Sequence, residues 1–276
     1  MKREGPRGIG FWLFGAFFVL FVLFLYGPLS TIFILSFQGP DGGLTFPMNG
    51  VSVHWFKNLF EKQAVGDFGG SFLRSLILGV MVMAATVVVS LLAGLAFRRR
   101  FRGSTFLFYL AVASLIVPSI LVSLGIGLGF QIAGIPPAWY SSAYGAQLTW
   151  TLPFGLLIMF AVFNRFNPSY EEAARDLGAS PWQTFRNVVL PLILPSLVGV
   201  GLFGFSLSYD EFARTLMTAG TYNTLPLEIY GMTTNVTTPV LYALGTLTTA
   251  FSFLVIIACV VAIFVLRARR ARRMAA

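Results

Sequence analysis

GSTFLFYLAVASLIVPSILVSLGIGLGFQIAGIPPAWYSSAYGAQLTWTLPFGLLIMFAVFN, residues 103–164, runs for 62 residues without an Asp, Glu, Lys or Arg. A helix needs about 20 apolar residues to cross the hydrocarbon core of a bilayer, so this stretch is too long for one crossing and long enough for two. Gly134-Ile135-Pro136-Pro137 supplies the turn, and Trp139, Tyr140 and Ser141 follow with the amphipathic aromatics that favour a membrane interface. Four more charge-free runs lie on either side: 8–40 (33 residues), 75–97 (23), 187–209 (23) and 229–266 (38). The expectation is an all-α polytopic membrane protein with six transmembrane helices in one domain, at about 11–36, 73–97, 106–130, 145–164, 192–212 and 242–266.

Composition agrees. The 276 residues are 57% hydrophobic, 16% aromatic and only 11% charged, with a mean hydropathy of +0.80, whereas a soluble domain is about 25% charged. Disorder, coiled coil and secreted scaffold are excluded. The first apolar run far exceeds a signal-peptide core of about 7 to 15 residues and lacks an A-x-A site, so it reads as a retained helix. The lone Cys259 has no partner for a disulfide or thiolate cluster, and the lone His54 rules out a His-rich metal site or a catalytic triad. No metal site and no catalytic residue are expected.

The basic residues give orientation. With the amino terminus inside, fifteen of the nineteen Lys and Arg fall on cytoplasmic segments: Lys2, Arg3, Arg7; Arg98, Arg99, Arg100, Arg102; Arg165, Arg175, Arg186; Arg267, Arg269, Arg270, Arg272, Arg273. Lys57, Lys62, Arg74 and Arg214 remain. Both termini are expected in the cytoplasm, and the net charge of +9 is read as topology and contact with anionic lipid, not nucleic acid.

One cytoplasmic segment has structure of its own: residues 167–190, NPSYEEAARDLGASPWQTFRNVVL. Ser169 with Glu172 reads as a capping box, and Glu171 and Glu172 suit the helix N-terminus. Tyr170, Ala173, Ala174 and Leu177 make one apolar face, with Glu171, Glu172, Arg175 and Asp176 on the other. Gly178 supplies a left-handed cap, and Ser180, Pro181 and Gln183 start a second short helix carrying Trp182, Phe185 and Val189, which Pro191 is expected to end. A predominantly acidic first helix is repelled by anionic lipid. The pair therefore reads as a helix-in-groove element for a protein partner.

The spacing Glu172-Ala173-Ala174, Gly178-Ala179, Phe185, Val188, Leu190-Pro191 resembles the EAA loop of permease subunits of binding-protein-dependent ABC importers. FRRRFRG at 97–103, Leu152-Pro153-Phe154, SLSYDEFARTLMTAG at 206–220 and Leu225-Pro226-Leu227 are similar to the second permease subunit of spermidine/putrescine-type importers. The resemblance implies a MetI-like type I importer bundle whose EAA residues, with Glu171 and Asp176, dock on an ATPase. It implies two ATP-binding cassette subunits, a second permease subunit, an extracytoplasmic solute-binding protein and a bacterial inner-membrane location. The solute implied is a polyamine or related organic cation; another small organic solute, such as an amino acid derivative or opine, is the alternative.

ATP chemistry is expected in trans, since none of Lys2, Lys57 or Lys62 lies in a G-x-x-x-x-G-K-[ST] loop; this chain is expected to bind no cofactor, ATP and Mg belonging to the ATPase. Charge-free span interiors argue against a self-sufficient secondary transporter or an intramembrane enzyme. Candidate solute-path residues are Asp210, Glu211, Tyr209, Trp150 and Ser119, with Gln147 as a further polar group; ion pairing of Asp210 or Glu211 with Arg214 is the competing role. Two positions depart from the polyamine pattern: Ser119 follows Pro118 where an acid is common, and Arg214 replaces a small apolar residue. Gly125, Gly127 and Gly129 are expected to let a neighbouring helix approach closely.

Overall fold

The computed structural model describes residues 8–61, 66–99, 101–235 and 238–275. Lys2, Arg3, Arg7, Lys62 and Arg100 lie outside the described residues, as do the side chains of Cys259 and of the arginines from Arg267 to Arg273. Eleven α-helices are described: α1 (Ile9–Leu35), α2 (His54–Asn58), α3 (Phe68–Phe97), α4 (Ser104–Ala113), α5 (Ser119–Ile132), α6 (Tyr144–Asn164), α7 (Ser169–Asp176), α8 (Pro181–Thr184), α9 (Leu190–Tyr209), α10 (Leu225–Asn235) and α11 (Val240–Ala275). Among the described residues the only β pairing is two isolated bridges. The stretches Ile9–Leu35, Phe68–Phe97, Trp139–Asn164, Pro181–Tyr209 and Val240–Ala258 are long and apolar enough to cross a membrane; Ser104–Ala113 and Ser119–Ile132 are shorter.

Two compact units can be distinguished, one running through Gly66 and including Gly231–Phe251, the other comprising Asp67–Tyr230 and the residues from Ser252 onward. In the first, α1 is apolar all round and only Leu35 is buried, as expected of a helix that meets lipid. The loop after it is organised by the fully buried Gln38. Its Nε2 donates to the carbonyls of Gly43 (2.9 Å) and Thr45 (3.3 Å), and its Oε1 accepts from the Asn49 amide (2.8 Å). His54 is bonded to Asn58 one turn on (3.1 Å), a local role.

The second unit is built on α3. Ser71, Ser75, Gly79, Val82, Thr86, Ser90 and Gly94 recur every three or four residues and are all buried, giving one narrow stripe of small side chains. Lipid gives helices no hydrophobic reason to associate, so close backbone approach and polar contacts hold such bundles. A Cβ on Gly155 of α6 would stand 2.1 Å from Ser90 Oγ, one on Gly94 2.9 Å from Met159 Cβ, and one on Gly79 3.0 Å from the Phe205 ring. Thr86 donates to Thr151 Oγ1 (3.0 Å), and Ser208 of α9 bonds Gln147 of α6. Met159, Phe163, Val189, Ile193, Leu197 and Val200 close the apolar core on that side. The close-packing glycines are therefore these and not the predicted Gly125 and Gly129, which face open space; Gly127 alone of that trio meets a neighbour, the Met217 carbonyl.

Two further expectations need correction. The apolar stretch at 106–130 is not one helix: it breaks between α4 and α5 at Pro118, which has no N–H to offer and disfavours α geometry at Val117. Ser114 stitches the break by donating to the carbonyls of Ala111 (2.7 Å) and Thr149 (2.6 Å). Nor does Pro191 end a helix. Phe185–Val189 forms a π turn, and helix continues from Pro181 through Tyr209, the wider turn accommodating the missing proline donor.

Candidate functional site

The 167–190 segment leaves α6 and returns into α9. Asn167 Oδ1 accepts from the Ser169 amide (3.1 Å), and α7 begins at Ser169 with Pro168 as its N-cap. The predicted Ser169–Glu172 capping box does not form, because Ser169 already lies inside the helix. The other end follows the sequence: Gly178 takes φ +80, its amide donates to Arg175 O (2.8 Å), and Ala179 N donates to Ala174 O (3.0 Å), a Schellman closure. Ser180 and Gln183 then form the reciprocal capping box of α8 (2.8 and 3.3 Å).

Orientation is the informative feature. Tyr170 (54% exposed), Leu177 (90%) and Trp182 (66%) face outward, whereas Glu171 is the buried member (9%). Its Oε1 accepts from Arg98 Nη1 at 2.6 Å, and its Oε2 lies 3.6 Å from Arg175. The Arg98 guanidinium in turn stacks over the Phe163 and Phe166 rings, 5.2 and 5.3 Å from their centres. Glu172, Ala173 and Asp176 are exposed, Ala174 and Ala179 are partly covered, and Leu190 and Pro191 are half-buried. Phe185 stacks on Trp182 (5.6 Å) and packs against the core cluster. The sequence marks Arg98 as a topogenic charge and as part of the FRRRFRG stretch at 97–103, but not as a partner of Glu171, which lies 73 residues away.

A second cluster forms where α9 ends. Tyr209 is the last residue of the helix, and 210–224 folds back as an ordered loop. Met217 N donates to Ser123 Oγ (2.9 Å), Ser142 Oγ donates to Thr218 O (2.7 Å), and Ala138 bridges Gly220. Gly220 takes φ +73 and passes so close that a Cβ would meet Pro137 O at 2.0 Å. Inside this loop Arg214 is 1% exposed. Its Nη1 donates to Ser119 Oγ (2.6 Å), its Nε donates to Thr149 Oγ1 (3.2 Å), and its guanidinium sits 4.7 Å over the Trp150 ring.

The candidate path residues therefore separate. Ser119, Trp150 and Glu211 converge on Arg214, Glu211 by accepting from the Arg214 amide (2.8 Å) and not by pairing with its guanidinium. Tyr209 is packed between Phe205 and Phe72 (5.8 and 6.4 Å). Asp210 is exposed, with no hydrogen bond to its carboxylate and no ion pair among the described residues. Gln147 is fully buried against Ser208. The two departures noted in the sequence, Ser119 and Arg214, are thus bonded to each other across 95 positions.

Residues 86–273 match the family described as binding-protein-dependent transport system inner membrane component. The chain is 28% identical over 251 residues to the spermidine/putrescine transport system permease protein PotC of Escherichia coli K12, covering 91% of this chain and 93% of that one. It is 27% identical over 232 residues to the putrescine transport system permease protein PotI of the same organism, covering 81% of each. In three dimensions it is similar to a chain of a bacterial ABC transporter involved in import of the acidic polysaccharide alginate, with a TM-score of 0.65 at 15% identity over 98% and 99% of the two chains. With an all-α bundle, apolar helices of membrane-crossing length and a match over two thirds of its length, the chain belongs to the family of inner-membrane components of binding-protein-dependent transport systems.

Proposed function

We propose that the chain is the permease subunit of an ATP-driven importer and that the 167–190 helix pair is the surface through which a separate ATPase moves it. The observation that carries this is the outward set of Tyr170, Leu177 and Trp182, edged by Glu172 and Asp176, on a pair whose inward side is pinned by Arg98–Glu171. Three large apolar side chains in open exposure on a mostly polar helix pair are an anchor set for a groove. The broken α4–α5 segment is the third of six crossings. Both termini and the 167–190 loop lie in the cytoplasm, supported by the basic-residue count. ATP and Mg belong to the ATPase, present in two copies; a homologous second permease and an extracytoplasmic binding protein complete the importer.

The solute path runs past Ser119, Trp150, Glu211 and Arg214. Irregular backbone at membrane depth is tolerated only where protein buries it or where it lines a cavity, and the α4–α5 break places Ser119 at such a point. The solute is a polyamine or a related organic cation, a reading supported by the coverage of the two polyamine permeases. Arg214 favours a second reading, because a fixed guanidinium already occupies the Trp150 face that an ammonium would use; a solute carrying a carboxylate as well, such as an amino acid derivative, suits it better. Thermal shift of the cognate binding protein with putrescine, spermidine and amino acid derivatives separates the two. Docking is tested by Leu177→Asp with Trp182→Asp: ATPase copurification should fall at least roughly tenfold with membrane insertion intact, and unchanged copurification refutes the docking role.

A further inference from the structure

A cavity of about 400 Å³ opens between the end of α3 and the 167–190 pair, and it is lined by Arg98, Arg99, Arg175 and Glu171, with Leu95 and Phe185 among its apolar walls. Three guanidiniums face one carboxylate, an excess of two positive charges. The donors are also underused. Arg98 spends Nη1 on Glu171, Arg175 reaches the same carboxylate only at 3.6 Å, and Arg99 has no protein partner among the described residues. The other carboxylates of α7, Glu172 and Asp176, are exposed and do not line the cavity.

We infer that this cavity binds a phosphate-bearing anion, supplied by the headgroup of an anionic phospholipid. Guanidinium forks match phosphate oxygens bidentately, and basic pockets between helices at the cytoplasmic side of a membrane take such headgroups. Lipid is the source because the guanidiniums sit where the apolar run of α3 ends, at headgroup level, and because Leu95 and Phe185 offer an apolar wall that a free phosphate does not need. The inference rests on the cytoplasmic placement of the loop proposed above.

The test uses the assembled complex, delipidated in neutral detergent, titrated with short-chain phosphatidylglycerol, with phosphatidylcholine of equal chain length, or with inorganic phosphate, and read as the midpoint of thermal unfolding. Phosphatidylglycerol should give a saturable rise and phosphatidylcholine none. Arg99→Gln with Arg175→Gln should weaken the apparent affinity roughly tenfold or more while leaving the lipid-free midpoint in place; if that variant does not assemble, Arg99→Lys with Arg175→Lys should show a smaller but measurable weakening. Equal rises from both lipids, or an unchanged affinity in the variants, overturn the site. A rise reproduced by inorganic phosphate alone overturns the lipid assignment. An impermeant thiol reagent should label Ala179→Cys in a Cys259→Ser background in inverted vesicles stripped of the ATPase and not on intact cells; labelling on intact cells refutes the cytoplasmic placement of the loop and not the cavity.

Discussion

Removing the Arg98 side chain should loosen α7 without unfolding the bundle. The Arg98–Glu171 contact is a charge-assisted hydrogen bond of 2.6 Å whose side chains are 25% and 12% exposed. A hydrogen bond to a charged group contributes about 1.5–3 kcal/mol when well covered; with this exposure, solvent screening brings it to about 1–2 kcal/mol. Stacking of the guanidinium over Phe163 and Phe166 adds roughly 0.5 kcal/mol or more. Arg98→Ala therefore costs about 2 kcal/mol, borne mainly by the anchoring of α7. Because about 1.4 kcal/mol is tenfold in an equilibrium, amide exchange at residues 173–176 in the assembled complex should quicken by roughly 10- to 100-fold, with exchange in the core of α3 unchanged. Arg98→Lys keeps the charge and loses the planar stack, so it should fall between. In a double-mutant cycle with Glu171→Gln the coupling energy should be about 1 kcal/mol. Exchange within twofold of wild type, or strict additivity of the two substitutions, refutes the claim that this pair holds the loop.

Gly155→Val should push α3 and α6 apart, since even a Cβ meets Ser90 Oγ at 2.1 Å and Thr86 Cγ2 at 3.0 Å; the cost is about 1–3 kcal/mol or more, seen as a lower thermal midpoint. Gly220→Ala should destabilise more than Gly103→Ala: both take left-handed φ (+73 and +87), costing about 1–2 kcal/mol, but only at Gly220 does a backbone carbonyl stand in the way. Arg214→Leu strands the Ser119 hydroxyl at about 1–3 kcal/mol, while Thr149 keeps its bond to Ala146 O, and adding Ser119→Ala should return part of that loss in the same melting assay.

The apolar runs were legible because helix length in lipid is set by bilayer thickness, and the bounds of α1 and α3 differ from the expected 11–36 and 73–97 by only a few residues. What was missed depended on backbone detail or on distance in sequence. Pro118 sits inside a run that is apolar throughout, so composition hides the break that its missing N–H imposes. Pro191 carries the opposite lesson, since a π turn lets the helix pass through. Gly125, Gly127 and Gly129 form the more conspicuous glycine pattern, yet only Gly127 of the three has a neighbour within 4 Å, the Met217 carbonyl, while Gly79, Gly94 and Gly155 are the positions that abut side chains of the facing helices. In the site, Gly178 and the Ser180–Gln183 box were readable because each is a local rule. Arg98–Glu171 and Arg214–Ser119 span 73 and 95 positions, and nothing local in the sequence announces either.

These contacts bear on how a pull on the loop would travel. Besides the chain's own return into α6, a force applied at Tyr170, Leu177 and Trp182 would enter the bundle by two routes: the continuous helix from Pro181 to Tyr209, and the Arg98–Glu171 bond to the end of α3. Both routes lead into the same interlocked set, because α3 is keyed to α6 through Gly94, Gly155 and Thr86, and to α9 through Gly79 and Phe205. Packed interiors of this density shift as bodies and do not stretch. At its other end α3 holds the start of α10 and the residues before it, with Ser75 Oγ accepting from Leu225 N (2.8 Å) and Arg74 Nε donating to Asn223 O (2.7 Å). The loop carrying Arg214 is thus tied to α3 at its far end, whereas its link to α5 runs through single side-chain hydrogen bonds at Ser119 and Ser123. Motion of the α3–α6–α9 body against the broken α4–α5 arm would therefore be taken up at those two serines and at Ser114, which donates to Thr149 O of α6, so the Arg214–Ser119 bond is one of three that such a motion would strain.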